Sequence, residues 1–159
     1  MEQETLHFKI GVSGSSLKKQ PKIRILINDQ EQVNEQLIVA ENTTQYFEFD
    51  ATLHEGACFL GIELLNKTTS DTVLDANGNI IEDLLLNIDS VEIDEIDLGS
   101  LLWTVSDYVP NYPEPYQLEM SKQGKDLPVS INNCVNLGWN GRWTLHFTSP
   151  FYIWLLENI

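Results

Sequence analysis

Basic residues are scarce in this chain: nine Lys and Arg stand against 24 Asp and Glu in 159 residues, a formal net charge of −15. Binding to a phosphate backbone needs a basic face, so the composition argues against nucleic acid as a partner. The surplus of acid fits a soluble, self-repelling surface, a cation site, or docking onto basic partners. Cysteine is rarer still. Cys58 and Cys134 each lie in or beside an apolar run, and two free thiols are expected rather than a disulfide. Long hydrophobic runs are missing. Phe151 to Leu156 is the longest late one, far below the roughly 20 residues that cross a bilayer, so no membrane partner is expected. The start, MEQETLHFKIG, has no apolar h-region, and no signal peptide is expected. Catalytic motifs are absent too: no Gly-x-Ser-x-Gly, no His-Glu-x-x-His and no phosphate-cradling glycine loop. His7, His54 and His146 are scattered, and His7 and His146 fall on the polar phase of their strands. The expectation is a protein that is not an enzyme.

What the chain does have is period-two alternation. Leu6, Phe8, Ile10 and Val12 alternate with polar residues, as do Ile23, Ile25 and Ile27, then Cys58, Leu60, Ile62 and Leu64. Ser13 to Ser16 breaks the first strand, and Lys18, Lys19, Lys22 and Arg24 join Lys9 as the main basic cluster. Asn28-Asp29 ends the second strand, Leu37 to Val39 is a short apolar run, and Phe47 to Leu53 is another strand region. No helical period persists through the first two-thirds. Many short strands with turn signals between them predict an all-β fold, an antiparallel β-sandwich of jelly-roll type. A length of 159 residues suits a single domain with a hydrophobic core. Three parts are expected within it: residues 1–106 as sandwich core, 107–133 as a Pro/Tyr-rich loop and linker, and 134–159 as a C-terminal hairpin and apolar tail.

Within the core, residues 71–98 contain no Lys or Arg. Asn77-Gly78 predicts a tight hairpin with a type I′ turn. Ile88 and Val91 differ by an odd step, which predicts a bulge near Asp89-Ser90. Asn140-Gly141 predicts a second hairpin, with Trp143, Leu145 and Phe147 facing inward. Pro110, Pro113 and Pro115 predict an extended surface loop. Ser149-Pro150 reads as an N-cap followed by Pro at the first helical position, so the last residues form a short helix, or equally a final strand.

Three groups of residues could carry function. Asp71, Asp75 and Asp83, with Asn77, Asn79 and Glu82 beside them, supply the hard oxygen ligands that calcium prefers; an ordinary hairpin with solvated acids fits the same residues. Tyr108, Tyr112 and Tyr116 are evenly spaced on the Pro-rich segment, with Trp103 and Trp139 near in sequence. Exposed rings of this kind stack on the C–H face of a sugar, and they serve equally to pin a long loop to a sandwich. At the C-terminus, six consecutive bulky residues cannot all face one core. Tyr152, Ile153, Trp154 and Leu156 are expected to dock on another subunit or on a second copy, the alternative being cover by the 108–116 loop.

The run from the Ile23–Ile27 strand to Ile93 resembles the calcium-dependent xylan-binding carbohydrate-binding modules, and related small domains in structural proteins of tailed marine phages, cyanophages especially. Asp83-Leu84-Leu85-Leu86-Asn87-Ile88-Asp89 fits the modules' second motif without gaps. Lys67 stands where they carry an acidic calcium ligand, and Leu84-Leu85 replaces their Arg-Asn. The C-terminal half, with GWNGRWTLHF and SPFYIWLLENI, looks more like phage virion accessory proteins. The resemblance implies a β-sandwich jelly roll. It also implies a non-catalytic virion protein of capsid decoration, neck, tail or fibre, acting in adhesion or assembly. The partners would be other virion subunits, the chain itself or a cell-surface glycan. A carbohydrate-binding module, calcium-dependent or not, is the alternative. No resident cofactor is expected; a bound cation would be calcium on Asp71, Asp75 and Asp83.

Overall fold

Alternating apolar side chains need a second surface to bury against, and here two antiparallel sheets supply it to each other. The structure, a computed structural model, describes residues 3–14, 19–38 and 43–159. Ser15, Ser16 and Lys18 of the expected break and basic cluster, and Val39 of the apolar run, lie outside the described residues. The strands are β1 (Gln3–Gly14), β2 (Lys22–Ile27), β3 (Gln30–Leu37), β4 (Gln45–His54), β5 (Gly56–Leu64), β6 (Val73–Leu74) and β7 (Ile80–Glu82). They continue as β8 (Leu86–Ile93), β9 (Ile96–Asp97), β10 (Ser106–Pro110), β11 (Ile131–Asn132), β12 (Asn136–Leu137) and β13 (Gly141–Ser149). Helices are α1 (Leu101–Thr104), α2 (Glu114–Lys122) and α3 (Phe151–Asn158).

One sheet runs β12-β8-β1-β4, with β9 also paired to β8. The other runs β11-β10-β13-β5-β2-β3. Strands β6 and β7 form a separate hairpin. This is the antiparallel β-sandwich that the alternation predicts, with a short helix at its C-terminus. Leu6, Phe8, Ile10 and Val12 of β1 face Ile25, Leu60, Ile62, Trp143, Leu145 and Phe147 of the opposite sheet, all nearly or fully buried. Phe8 stacks on Phe49 at 5.4 Å and meets Phe147 from the facing sheet at 6.3 Å. The bulge lies where the sequence places it. Gly11 pairs with Ser90 and Val12 with Ile88, so Asp89 is the extra residue that lets Ile88 and Val91 both point inward.

Several local expectations are corrected. The Asn77-Gly78 hairpin forms, but only Gly78 has positive φ, so its turn is not type I′. The two-residue turns with positive φ at both positions are Asn28-Asp29, joining β2 to β3, and Asp94-Glu95, joining β8 to β9. Asn140-Gly141 makes no hairpin: β12 pairs with β8 in one sheet, and β13 with β5 and β10 in the other. The turn carries the chain across the sandwich. Gly141 is required there, because a Cβ would lie 2.3 Å from the Val109 carbonyl. The Pro-rich segment is not one extended loop. Ser106–Pro110 is a strand inside the second sheet, with Pro110 at its end, and Glu114–Lys122 is a helix with Pro115 in its first turn, where no N–H partner is lost.

The C-terminal segment is helix, not strand. Ser149 does not cap it; the Glu4 carboxylate accepts from the Ser149 hydroxyl and from the Phe151 N–H, the latter at 2.8 Å. Phe151 and Trp154 are buried against Phe147. Trp154 is therefore core rather than the docking residue expected, because the i, i+3 spacing turns it inward with Phe151. Tyr152, Ile153 and Leu156 remain exposed, and the Tyr152 hydroxyl donates to Asp94 at 2.8 Å.

Candidate functional site

The sheet-crossing turn at residues 138–140 organises a surface dense in aromatic and polar side chains. Its backbone is fixed from below by Tyr108. That hydroxyl donates to the Trp139 carbonyl and accepts from the Trp139 N–H at 2.9 Å. Tyr108 is 1% exposed, and burial raises its pKa well above the ordinary phenol value. It is thus a supporting residue and not an exposed ring: it lies on β10, where its phase points inward. Asn140 ties the same turn to the loop after β5. Its amide accepts from the Lys67 N–H at 2.8 Å and donates to the Lys67 carbonyl at 2.9 Å.

Tyr112 and Tyr116 do come together, with Trp139 as the third ring. Tyr116 lies 4.5 Å from Trp139 between centroids, Tyr112 lies 5.7 Å from Trp139, and the two tyrosines are 6.0 Å apart. All three rings are half-buried, so they pin α2 to the sandwich and still present surface. Burial raises the Tyr112 pKa, and its hydroxyl donates to the Pro128 carbonyl at 2.9 Å. Trp103 lies apart on α1.

Opposite these rings stands the β6–β7 hairpin. Its cross-strand pair Leu74 and Ile80 is 55% and 61% exposed, and both side chains line a cleft of about 440 Å³ with Tyr116 and Trp139. Polar groups in the same cleft are Lys67, Thr69, Thr72 and Asp83. A wider hollow of about 770 Å³ shares Lys67 and Thr69 with it and is lined further by Tyr112, Asn111, Glu114 and Asn140. Only the first combines apolar walls with a few convergent polar groups, the usual make-up of a small-ligand site.

The three expected calcium ligands are not brought together. Asp71 caps a 3-10 turn at Thr69–Asp71 and pairs with Lys19 at 2.9 Å. Burial opposes its charge, but the Thr68 N–H and Lys19 outweigh that and lower its pKa. Asp75 accepts from the N–H groups of Asn79 and Asn77 at 2.9 and 2.8 Å, which also lowers its pKa. Asp83 accepts from Thr72 at 2.8 Å and from the Leu84 N–H at 2.9 Å, and pairs with the Lys67 ammonium at 2.6 Å. Among the described residues no three His, Cys, Asp or Glu side chains are close enough to share an ion. The donor set around Asp83 therefore suits an ammonium and does not fit calcium.

The sequence groups Tyr112, Tyr116 and Trp139 as aromatic candidates, and the structure brings these three rings together. The apolar wall of Leu74 and Ile80 is not among the candidates it offers. A signal for the wall existed: two bulky residues, Leu74 and Ile80, flank a turn of five polar or small ones.

Neither a protein-family model nor a curated protein matches the chain. Among solved structures it is similar to the selenomethionine form of vCBM60, described under circular permutation as an evolutionary link between two families of calcium-dependent carbohydrate-binding modules. The TM-score is 0.54 at 10% identity, covering 88% of this chain and 89% of that one. The likeness is one of fold.

Proposed function

We propose that this chain is a non-catalytic carbohydrate-binding module that takes a neutral glycan in the cleft between the β6–β7 hairpin and the Tyr116–Trp139 pair. The observation that carries the reading is that two adjacent half-buried rings and two exposed aliphatic side chains face one another across hydroxyl, carboxylate and ammonium groups. Sugar rings offer an apolar C–H face and a rim of hydroxyls, which is the complementary chemistry. A net charge of −15 repels polyanions and favours an uncharged glycan. The similarity of fold to a carbohydrate-binding module supports the same reading. Affinity gel electrophoresis against soluble xylan, galactan, glucan and mannan tests it. At least one should retard the chain, and Trp139→Ala and Tyr116→Ala should each weaken retardation tenfold or more. Retardation by none, or retardation indifferent to both substitutions, overturns the proposal.

A second reading, the assembly module expected from the sequence, is favoured by the exposed face of α3. Tyr152, Ile153, Leu156 and Ile159 are 48, 56, 73 and 81% exposed. On that reading the chain is a virion subunit or self-associates. Sedimentation that shifts with concentration, and is abolished in Leu156→Asp, supports it; mass spectrometry of purified particles tests the virion location.

A further inference from the structure

Lys67 is the one charged residue that is buried overall among the described residues, and its side chain is only 4% exposed. Its ammonium lies 2.6 Å from Asp83 Oδ1 and 2.5 Å from the Gly138 carbonyl, and sits 5.2 Å from the centre of the Trp139 ring. Through its side chain it joins three segments that no sheet ladder pairs with one another, the loop after β5, the chain after β7 and the turn before β13, alongside the Asn140–Lys67 backbone and Thr72–Asp83 hydrogen bonds. A carboxylate and a carbonyl from different loops form the kind of oxygen set a hard cation binds. Here the three N–H donors of an ammonium fill it, and a divalent ion beside that charge is repelled.

We infer that the Lys67 ammonium performs in this chain the work of a bound cation: it neutralises Asp83 and holds residues 138–140 so that Trp139 is in place before ligand arrives. Lys67 is a positioning residue, and ligand binding in the cleft proceeds without calcium. The inference rests on the glycan reading of the cleft. It departs from the calcium dependence that the sequence resemblance implies, and the reason lies in the occupied donor set.

Affinity electrophoresis on the four polysaccharides above tests it, in 5 mM EDTA and in 5 mM calcium chloride (roughly five thousand times the dissociation constant of a micromolar calcium site). Retardation of the unmodified chain should be equal within about twofold in both buffers. Lys67→Ala should lose tenfold or more, and ethylammonium chloride, which returns an ammonium to the vacated space, should restore part of it. A role limited to filling volume would show no selectivity for ethylammonium over propane-sized neutral alcohols. Loss of retardation in EDTA overturns the inference and leaves the glycan reading standing. Retardation unchanged by both Trp139→Ala and Tyr116→Ala overturns the glycan reading instead. Because Lys67→Ala could unfold, thermal unfolding of the unmodified chain supplies a ligand-free arm. A melting temperature raised by calcium by 3 °C or more overturns the inference, and one that ignores calcium upholds it.

Discussion

Two groups of ion pairs in this molecule share chemistry and differ in surroundings. Lys67 and Asp83 have side chains 4% and 19% exposed and meet beside the cleft. Arg24, Glu31, Glu63, Arg142 and Asp29 form a ladder on the outer face of the second sheet, where the arginines are about a third exposed and Asp29 is 75% exposed. The ladder spans β2, β3, β5 and β13, which backbone hydrogen bonds already join, so its charges add little that the sheet lacks. Lys67 joins loops that no sheet ladder pairs with one another, and its charge has lost its water. The lesson is that position, not pair count, decides what a charge does: exposed pairs contribute little, whereas a buried one is costly to break.

The largest expected effect comes from breaking the buried pair. Lys67→Met should cost about 3 kcal/mol of folding stability, because Asp83 is left without its cation, and Lys67→Met with Asp83→Leu should recover part of that loss. Urea unfolding of the three proteins checks it. An intermediate effect belongs to Trp139→Ala, which removes a half-buried ring and should cost roughly 1–2 kcal/mol by the same measurement. A smaller one belongs to the ladder: Arg142→Gln should cost about 0.5 kcal/mol, less in high salt. The comparison breaks if Arg142→Gln costs as much as Lys67→Met.

The smallest effect is the one of pH at His7, an exposed charge on the other sheet. Hydrogen bonds to Glu48 and Asp50, at 3.0 and 2.7 Å, raise its pKa above 6.5. A folded-state value above the unfolded one means the contribution is present below 6.5 and lost as pH rises through the raised value. His7→Asn should therefore flatten a slight fall in stability above that point, read from melting temperatures across the range.

Much of the sandwich was legible because burial on one face forces a period of two, and the Asp89 bulge because an odd step is visible in the spacing itself. The Pro-rich segment was not legible, since proline excludes only helix interiors and paired strand positions. Pro115 in a first turn and Pro110 at a strand end violate neither. The Asn140-Gly141 turn misled because a reversal has the same local signature whether its arms share a sheet or cross between two. Tyr108, Tyr112 and Tyr116 look equivalent in spacing; only the strand under Tyr108 separates the buried support from the two half-buried rings. Lys67 was legible as a departure from the calcium motif, but its burial depends on Asp83 and Gly138, which only the tertiary fold brings near.

The central claim is that the cleft holds a glycan, and amide chemical-shift mapping tests it most directly. With a short oligosaccharide from whichever polysaccharide retards the chain, the account predicts shifts clustered at Thr69, Thr72, Leu74, Ile80, Gly138 and Trp139, with the Trp139 indole among the largest. Shifts confined to the open face of the first sheet, around Lys9 and Tyr46, or no shifts with any of the four sugars, would contradict it.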